Sequence, residues 1–178
     1  MCGEMSDWER CVQFHGHSCP GLAIGFRASQ AAGEHLGLVF SRDEEVVCVS
    51  ENDACGVDAV QVLTGCSVGK GNLLLRPVGK MAFSFFSRKT GGRARIVFKK
   101  PLDAAQMDRE ALQAHILQAP LAELFKVKTP SCPPPEKARL FASLLCQRCG
   151  ESCAEHSARL HEGETLCLDC VPDYSRGW

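Results

Sequence analysis

Lys80 to Lys100 reads KMAFSFFSRKTGGRARIVFKK, two apolar, β-prone runs divided by a glycine pair. The turn-prone KTGG, Lys89 to Gly92, predicts a β-hairpin. On its second strand Ala94, Ile96 and Phe98 share the core-facing side and leave Arg93 and Arg95 on the other. Arg88, Lys89, Arg93, Arg95, Lys99 and Lys100 make the hairpin basic. A charged edge that discourages strand-to-strand aggregation is preferred over a strip that receives an anionic ligand or a protein.

Upstream, EVVCVS (Glu45 to Ser50) is short and β-branched and reads as a strand, and VDAVQVLTG (Val57 to Gly65) as a helix ending at its glycine. PGLAIGFRASQAAGEHLG, Pro20 to Gly37, has proline in the first turn and glycine past the last, which marks another helix. Gly25, Ser29 and Gly33 lie four apart on it, a small-residue stripe that admits a close backbone neighbour. Downstream, DAAQMDREALQAHIL (Asp103 to Leu117) and PLAELFKV (Pro120 to Val127) read as helices parted at Pro120. Helices and strands alternate only partly. The expected class is therefore α+β, a layered α/β core with a mixed or antiparallel sheet over residues 1–128.

KTPSCPPPEK, Lys128 to Lys137, has four prolines in ten residues and breaks the pattern. Residues 129–143 are assigned to a proline-rich linker and a short helix, and 144–178 to a small C-terminal zinc ribbon. In that ribbon Cys146 and Cys149 form one CxxC and Cys167 and Cys170 a second, with 17 residues between the pairs. This is the spacing of a four-thiolate zinc site. About 30 residues bury too little apolar surface to fold alone, so metal is the expected core of the segment. From Cys146 to Trp178 three Arg/Lys stand against six Asp/Glu, a local charge of -3. That argues against nucleic acid as a partner, and a closed site of this kind suits structure or docking of a protein partner.

The whole chain is 178 residues with a formal net charge of -1, 45% hydrophobic and 23% charged residues. It exerts no overall pull toward nucleic acid or an anionic membrane. No apolar run is long enough to span a bilayer, and MCGEMSDWER lacks a signal peptide's apolar stretch. The expectation is a cytoplasmic protein without membrane attachment, whose twelve cysteines serve metal or redox chemistry rather than disulfides.

FHGHSCPG, Phe14 to Gly21, sets two imidazoles and a thiol at every second residue. In an extended segment His15, His17 and Cys19 share one face, three ligands that zinc, nickel, copper or iron accept. Cys19 precedes Pro20 at a helix start, where free N–H groups favour a thiolate. ENDACGVDAVQVLTGC, Glu51 to Cys66, repeats the device: Cys55 stands before Gly56 and a helix, with Asp53 and Asp58 near. These carboxylates either orient a ligand histidine or act as a general base. The alternatives are an inert buried cysteine and a first-turn aspartate facing the helix dipole. TGCSVGKGN (Thr64 to Asn72) is one residue short of a phosphate loop and lacks its Ser/Thr, so a solvated Lys70 on a glycine turn is preferred.

FHGHSCPGLAIGFRAS, ENDACGVDAVQVLTGCSVGKGNL and GKMAFSF, in this order, resemble the FmdE family, which takes its name from formylmethanofuran dehydrogenase. The resemblance spans about Phe14 to Phe98, and the ribbon after a proline-rich linker is similar to an extension found in some members. It implies an α+β core that pairs into a homodimer, and a link to molybdenum or tungsten enzymes of one-carbon metabolism. By residue it implies His17, Cys19 and Cys55 as metal ligands. His15 is then a fourth ligand or, with Asp58, a catalytic acid–base group. The metal expected in this core site is Zn2+ or another transition metal such as Ni or Fe, with Zn2+ in the ribbon. Three functional classes follow: an auxiliary subunit or small metal-dependent enzyme, a metal-handling or thiol-redox protein, and a regulatory adaptor that docks through its ribbon.

Overall fold

Val46–Ser50 (β1) is the strand around which the core is organised, in a computed structural model that describes residues 4–101 and 104–176. Two units are present, Met1–Ala138 and Arg139–Trp178, and their boundary falls inside the 129–143 segment. That segment has no helix, contrary to expectation. Its prolines supply no N–H and hold the preceding residues extended.

In the first unit the chain runs α1 (Asp7–His15), α2 (Pro20–Leu36), β1, α3 (Gly56–Thr64), β2 (Leu73–Leu75), β3 (Ala82–Ser87), β4 (Arg93–Phe98), α4 (Arg109–Gln118), α5 (Leu121–Leu124) and β5 (Phe125–Lys128). The sheet order is β2-β1-β3-β4-β5. β1 and β2 are parallel across the α3 crossover and the remaining pairs antiparallel, so the sheet is mixed. Asp103, the first residue of one expected helix, lies outside the described residues, and the helix itself occupies α4.

The β3–β4 hairpin forms as expected, with Phe83 opposite Ile96 and Phe85 opposite Ala94. Those four, with Val46 and Cys48 of β1, pack against Ala23, Ala28 and Ala32 of α2 and Val60 of α3. Phe86 points to the other side of the sheet and is buried as well, sharing a cavity with Pro134. Arg88 explains why the proline-rich stretch lies there: its guanidinium donates to the carbonyls of Pro135 and Glu136 and pairs with Glu44.

Two readings are corrected, and one strand is added. The hairpin is not an edge, because β5 pairs along β4 from Arg95 to Phe98. Phe125–Lys128 is accordingly a strand rather than the end of a helix; Phe125 is buried while Lys126 to Lys128 are exposed, and pairing with β4 outweighs local helix propensity. Finally, β2 emerges from the glycine turn, fastened by buried Asn72, whose Nδ2 donates to the carbonyls of Asp43 and Val46 and whose Oδ1 accepts from Ser67 N–H.

The second unit contains two small hairpins, β6 (Ser143–Leu145) with β7 (Ser152–Ala154) and β8 (Ala158–His161) with β9 (Glu164–Cys167). Among its described residues only Cys146 and Leu166 are buried hydrophobics, so apolar burial alone cannot hold it.

Candidate metal centre

α1 begins with a capping box, Ser6 Oγ accepting from Glu9 N–H while the Glu9 carboxylate accepts from Ser6 N–H, and ends at His15. Gly16 follows in the left-handed region at φ 88. That residue turns the chain so that His17 and Cys19 fold back toward His15. The three side chains therefore do not share a face of an extended segment. The helix end and its glycine cap bring them together instead.

Ligand atoms of His15, His17 and Cys19 all lie within 4.8 Å of one another. Cys19 Sγ is 3.8 Å from His15 Nε2. Around a tetrahedral ion with bonds of about 2.0–2.3 Å, neighbouring ligand atoms stand roughly 3.4–3.8 Å apart, so the pair is already at ligand spacing. The chemistry of the set, two imidazoles and a thiol, fits a borderline-to-soft transition metal. Cys19 is buried, His15 half-buried and His17 exposed, which leaves one side of the cluster open to solvent. As N-cap of α2, Cys19 accepts a hydrogen bond from Leu22 N–H at 3.3 Å, which fixes its sulfur at the helix start.

His15 Nδ1 lies 2.7 Å from Asp58 Oδ2, on the first turn of α3. With Nδ1–H donating to the carboxylate, Nε2 keeps its lone pair and faces Cys19. Gln61, one turn further along α3, donates to Asp58 Oδ1 at 3.3 Å. Gln61 escaped the sequence reading; its i+3 spacing from Asp58 was the available signal.

Cys55 is the N-cap of α3. A Cβ placed on Gly21 would be 3.6 Å from Cys55 Sγ and 3.9 Å from Cys19 Sγ, so the two sulfurs flank the same glycine. Cys55 stands beside the tight cluster rather than within it. It makes no side-chain cap bond. Burial pushes its thiol up, and the neighbouring Cys19 thiol pushes it further, the reverse of the thiolate bias expected at a helix N-terminus. Asp53 is exposed.

Close approach of α2 and α3 sets this geometry. A Cβ on Gly25 would sit 2.0 Å from the Gly56 carbonyl oxygen, whereas one on Gly33 would meet nothing within 4 Å. Of the expected Gly25, Ser29 and Gly33 stripe, Gly25 meets α3 and Gly33 does not, while Gly21, one turn earlier, lies against Cys55. A cavity of about 1020 Å3 borders the centre through Phe14 and Gln61 and also includes Arg10, Phe40 and Lys70. Lys70 is no free lysine: its Nζ donates to the Ser41 carbonyl at 2.9 Å and lies 5.8 Å from the Phe40 ring centroid.

In the second unit the sulfurs of Cys146, Cys149, Cys167 and Cys170 lie within 4.8 Å of one another, with Cys149 and Cys167 at 3.9 Å. Backbone N–H groups of Cys149 and then Cys167 draw the Cys146 thiol down to about 6. Cys167 beside it drives Cys170 up to about 12. Four thiols this close resist joint ionisation, and a divalent cation removes the conflict. Cys153, His156 and His161 stay outside the cluster, His156 stacking on Phe141 at 4.1 Å between centroids.

Among the described residues, no helix is long and apolar enough to cross a membrane. The chain is 30% identical, over 196 residues, to a probable S-adenosyl-L-methionine-binding protein of Archaeoglobus fulgidus. That alignment takes in 93% of this chain but only 52% of the relative, so the chain spans about half the length of the curated protein it matches. The crystal structure of a tungsten formylmethanofuran dehydrogenase FmdE-like protein from Syntrophus aciditrophicus matches with a TM-score of 0.71 at 26% identity, covering 91% of this chain and 88% of that one. Residues 14–126 match the family model described as "FmdE, Molybdenum formylmethanofuran dehydrogenase operon". With most of its core inside that match, this chain belongs to the FmdE family.

Proposed function

We propose that this FmdE-family chain is a two-centre metalloprotein: a partly open transition-metal site in the core and a closed structural zinc site in the ribbon. The mutual approach of His15, His17 and Cys19, with His15 backed by Asp58, carries the reading. In it His15, His17 and Cys19 are ligands, and Cys55 is a fourth that reaches the ion by a rotamer change or leaves that position to substrate. Asp58 holds the tautomer of His15 and is a positioning residue, so His15 serves as ligand more than as acid–base group. A bound Zn2+, Ni2+ or Fe2+ would supply Lewis acidity at an exposed coordination position. His17, at the exposed margin, borders the path to that position.

An auxiliary or metal-dependent role in one-carbon or molybdenum/tungsten metabolism is the preferred context, supported by the family name and by the likeness to an FmdE-like protein whose name cites a tungsten formylmethanofuran dehydrogenase. A thiol-redox or metal-handling role is the second reading, and the adjacency of Cys19 and Cys55 favours it. Homodimer formation by the core and protein docking by the ribbon complete the proposal; light scattering of the full chain and of a chain ending at Ala138 tests both.

Metal analysis of Cys19→Ser and Cys55→Ser, with ribbon zinc counted separately, tests the function. Loss of one ion with the other retained supports two centres. Turnover of a substrate then favours the first reading, and reversible thiol oxidation the second. Unchanged stoichiometry in Cys19→Ser overturns the core site.

A further inference from the structure

Beyond the carboxyl ends of the parallel strands β1 and β2 lies a second cavity of about 380 Å3, apart from the metal-ligand clusters. Its lining holds Arg76, Lys80, Arg95 and Lys128, with Glu51 as its one carboxylate and Thr129 and Ser131 beside them. Glu51 is already committed: Arg95 Nη2 donates to its Oε2 at 2.7 Å and Arg95 Nε to its other oxygen. Among the described residues no carboxylate pairs with Arg76, Lys80 or Lys128. Four cations therefore share one carboxylate in a concave site, an excess of three positive charges.

Arg76 and Lys80 ride on a loop fastened to the end of β1. Arg76 N–H donates to the Ser50 carbonyl at 2.8 Å, and the N–H groups of Val78 and Lys80 donate to the Glu51 carbonyl at 3.1 and 3.2 Å. Asn52 Nδ2 donates to the Lys80 carbonyl at 3.0 Å. The backbone carrying these charges is thus fixed before any ligand arrives, which lowers the ordering cost of binding. Lys80 and Arg76 also contribute to holding the Glu51 carboxyl below the ordinary carboxylate range, after Arg95, so their field reaches the cavity floor. The position is where open sheets with parallel strands bind ligands, the crevice past the strand ends next to a crossover.

We propose that this cavity binds a phosphoryl group, with Arg76, Lys80 and Lys128 neutralising its two charges and the Thr129 and Ser131 hydroxyls donating to its remaining oxygens. A tetrahedral dianion uses donors converging from several directions, which a basic rim of one arginine, two lysines and two hydroxyls provides. Asn52 links the site to the core centre, because its Oδ1 accepts from Ala54 N–H, one residue before Cys55.

Calorimetric titration of the metal-loaded full chain with pyrophosphate at low ionic strength tests the proposal, with inorganic phosphate and citrate as competitors. Saturable binding is expected, competed by phosphate and weakened by about tenfold or more in R76Q/K80Q, as when charge-assisted hydrogen bonds are lost. K89Q/R93Q, which removes the same two charges from the hairpin turn, should bind like the parent chain. The His17→Ala chain should also retain binding, since the phosphoryl group does not ligate the core metal. Thermal unfolding of each variant reports whether it is folded. Absence of saturable binding, equal loss in the two double variants, loss in His17→Ala, or citrate binding as tightly as pyrophosphate would each overturn the assignment.

Discussion

Gly25 and Gly56 meet backbone against backbone: a Cβ on Gly25 would stand 2.0 Å from the Gly56 carbonyl oxygen and 2.4 Å from its Cα. Neither atom is the end of a flexible side chain, so α2 and α3 must part to admit a methyl group. Cys19 and Cys55 head those two helices, and their separation depends on this contact. Gly25→Ala should destabilise the core by about 3 kcal/mol, at the upper end for an overpacked site. Gly33→Ala, on the same helix with open space around it, should instead stabilise by about 0.5–1 kcal/mol through helix propensity. Chemical denaturation of the two variants checks the contrast.

Asp58 offers a way to separate positioning from ligation. Asp58→Asn keeps the size of the side chain but removes the charge that holds His15 Nδ1–H at 2.7 Å. Core-metal affinity should fall by about 10–100-fold, the usual effect of losing a carboxylate behind a ligand histidine. Ribbon affinity should not change. Competition with a graded series of chelators measures both.

Glu51 carries a pH signature. Arg95, first through its hydrogen bonds and then through its charge, holds the Glu51 carboxyl below the ordinary carboxylate value of 4.5. A depressed folded-state value means that the stabilisation is fully present above the unfolded-state value. It is lost as pH falls through the lower folded one. Glu51→Gln should cost about 3 kcal/mol near neutrality, because it leaves the guanidinium of Arg95 without its charge partner. It should also flatten the acid limb of the stability curve below about pH 4.5. Urea midpoints across the acid range, compared with the parent chain, give the result.

Metal removal should separate the two units. With only Cys146 and Leu166 as buried hydrophobics among its described residues, the ribbon of the proposed two-centre protein would draw its folding energy from the ion. Cys146→Ser, or strong chelation, should unfold residues 139–178 while the core sheet keeps its amide protection. Hydrogen exchange followed by unit distinguishes this from global unfolding.

Legibility in the sequence followed the range of the interactions. The β3–β4 hairpin, α2 and α3 could be read because turn glycines, a first-turn proline and apolar spacing act within a few residues. Leu73–Leu75 could not, since three residues with one buried position carry no period; a distant anchor, Asn72 bonding to Asp43 and Val46, makes them a strand. Phe125 to Val127 read as the end of a helix in the sequence because their pairing partner lies about 30 residues upstream, in the Arg95 to Phe98 strand. The core cluster shows a subtler failure. Residue types and spacing point to His15, His17 and Cys19, yet the extended geometry expected of them is wrong, because α1 continues to His15 and Gly16 makes the turn.

Anomalous scattering from one crystal of the full chain, collected across the zinc, nickel and iron edges, tests the two-centre reading most directly. Two peaks per chain are expected, one at bonding distance from His15 Nε2 and Cys19 Sγ and one inside the four ribbon sulfurs. A single peak, confined to Cys146, Cys149, Cys167 and Cys170 in a crystal grown with all three metals available, would contradict it.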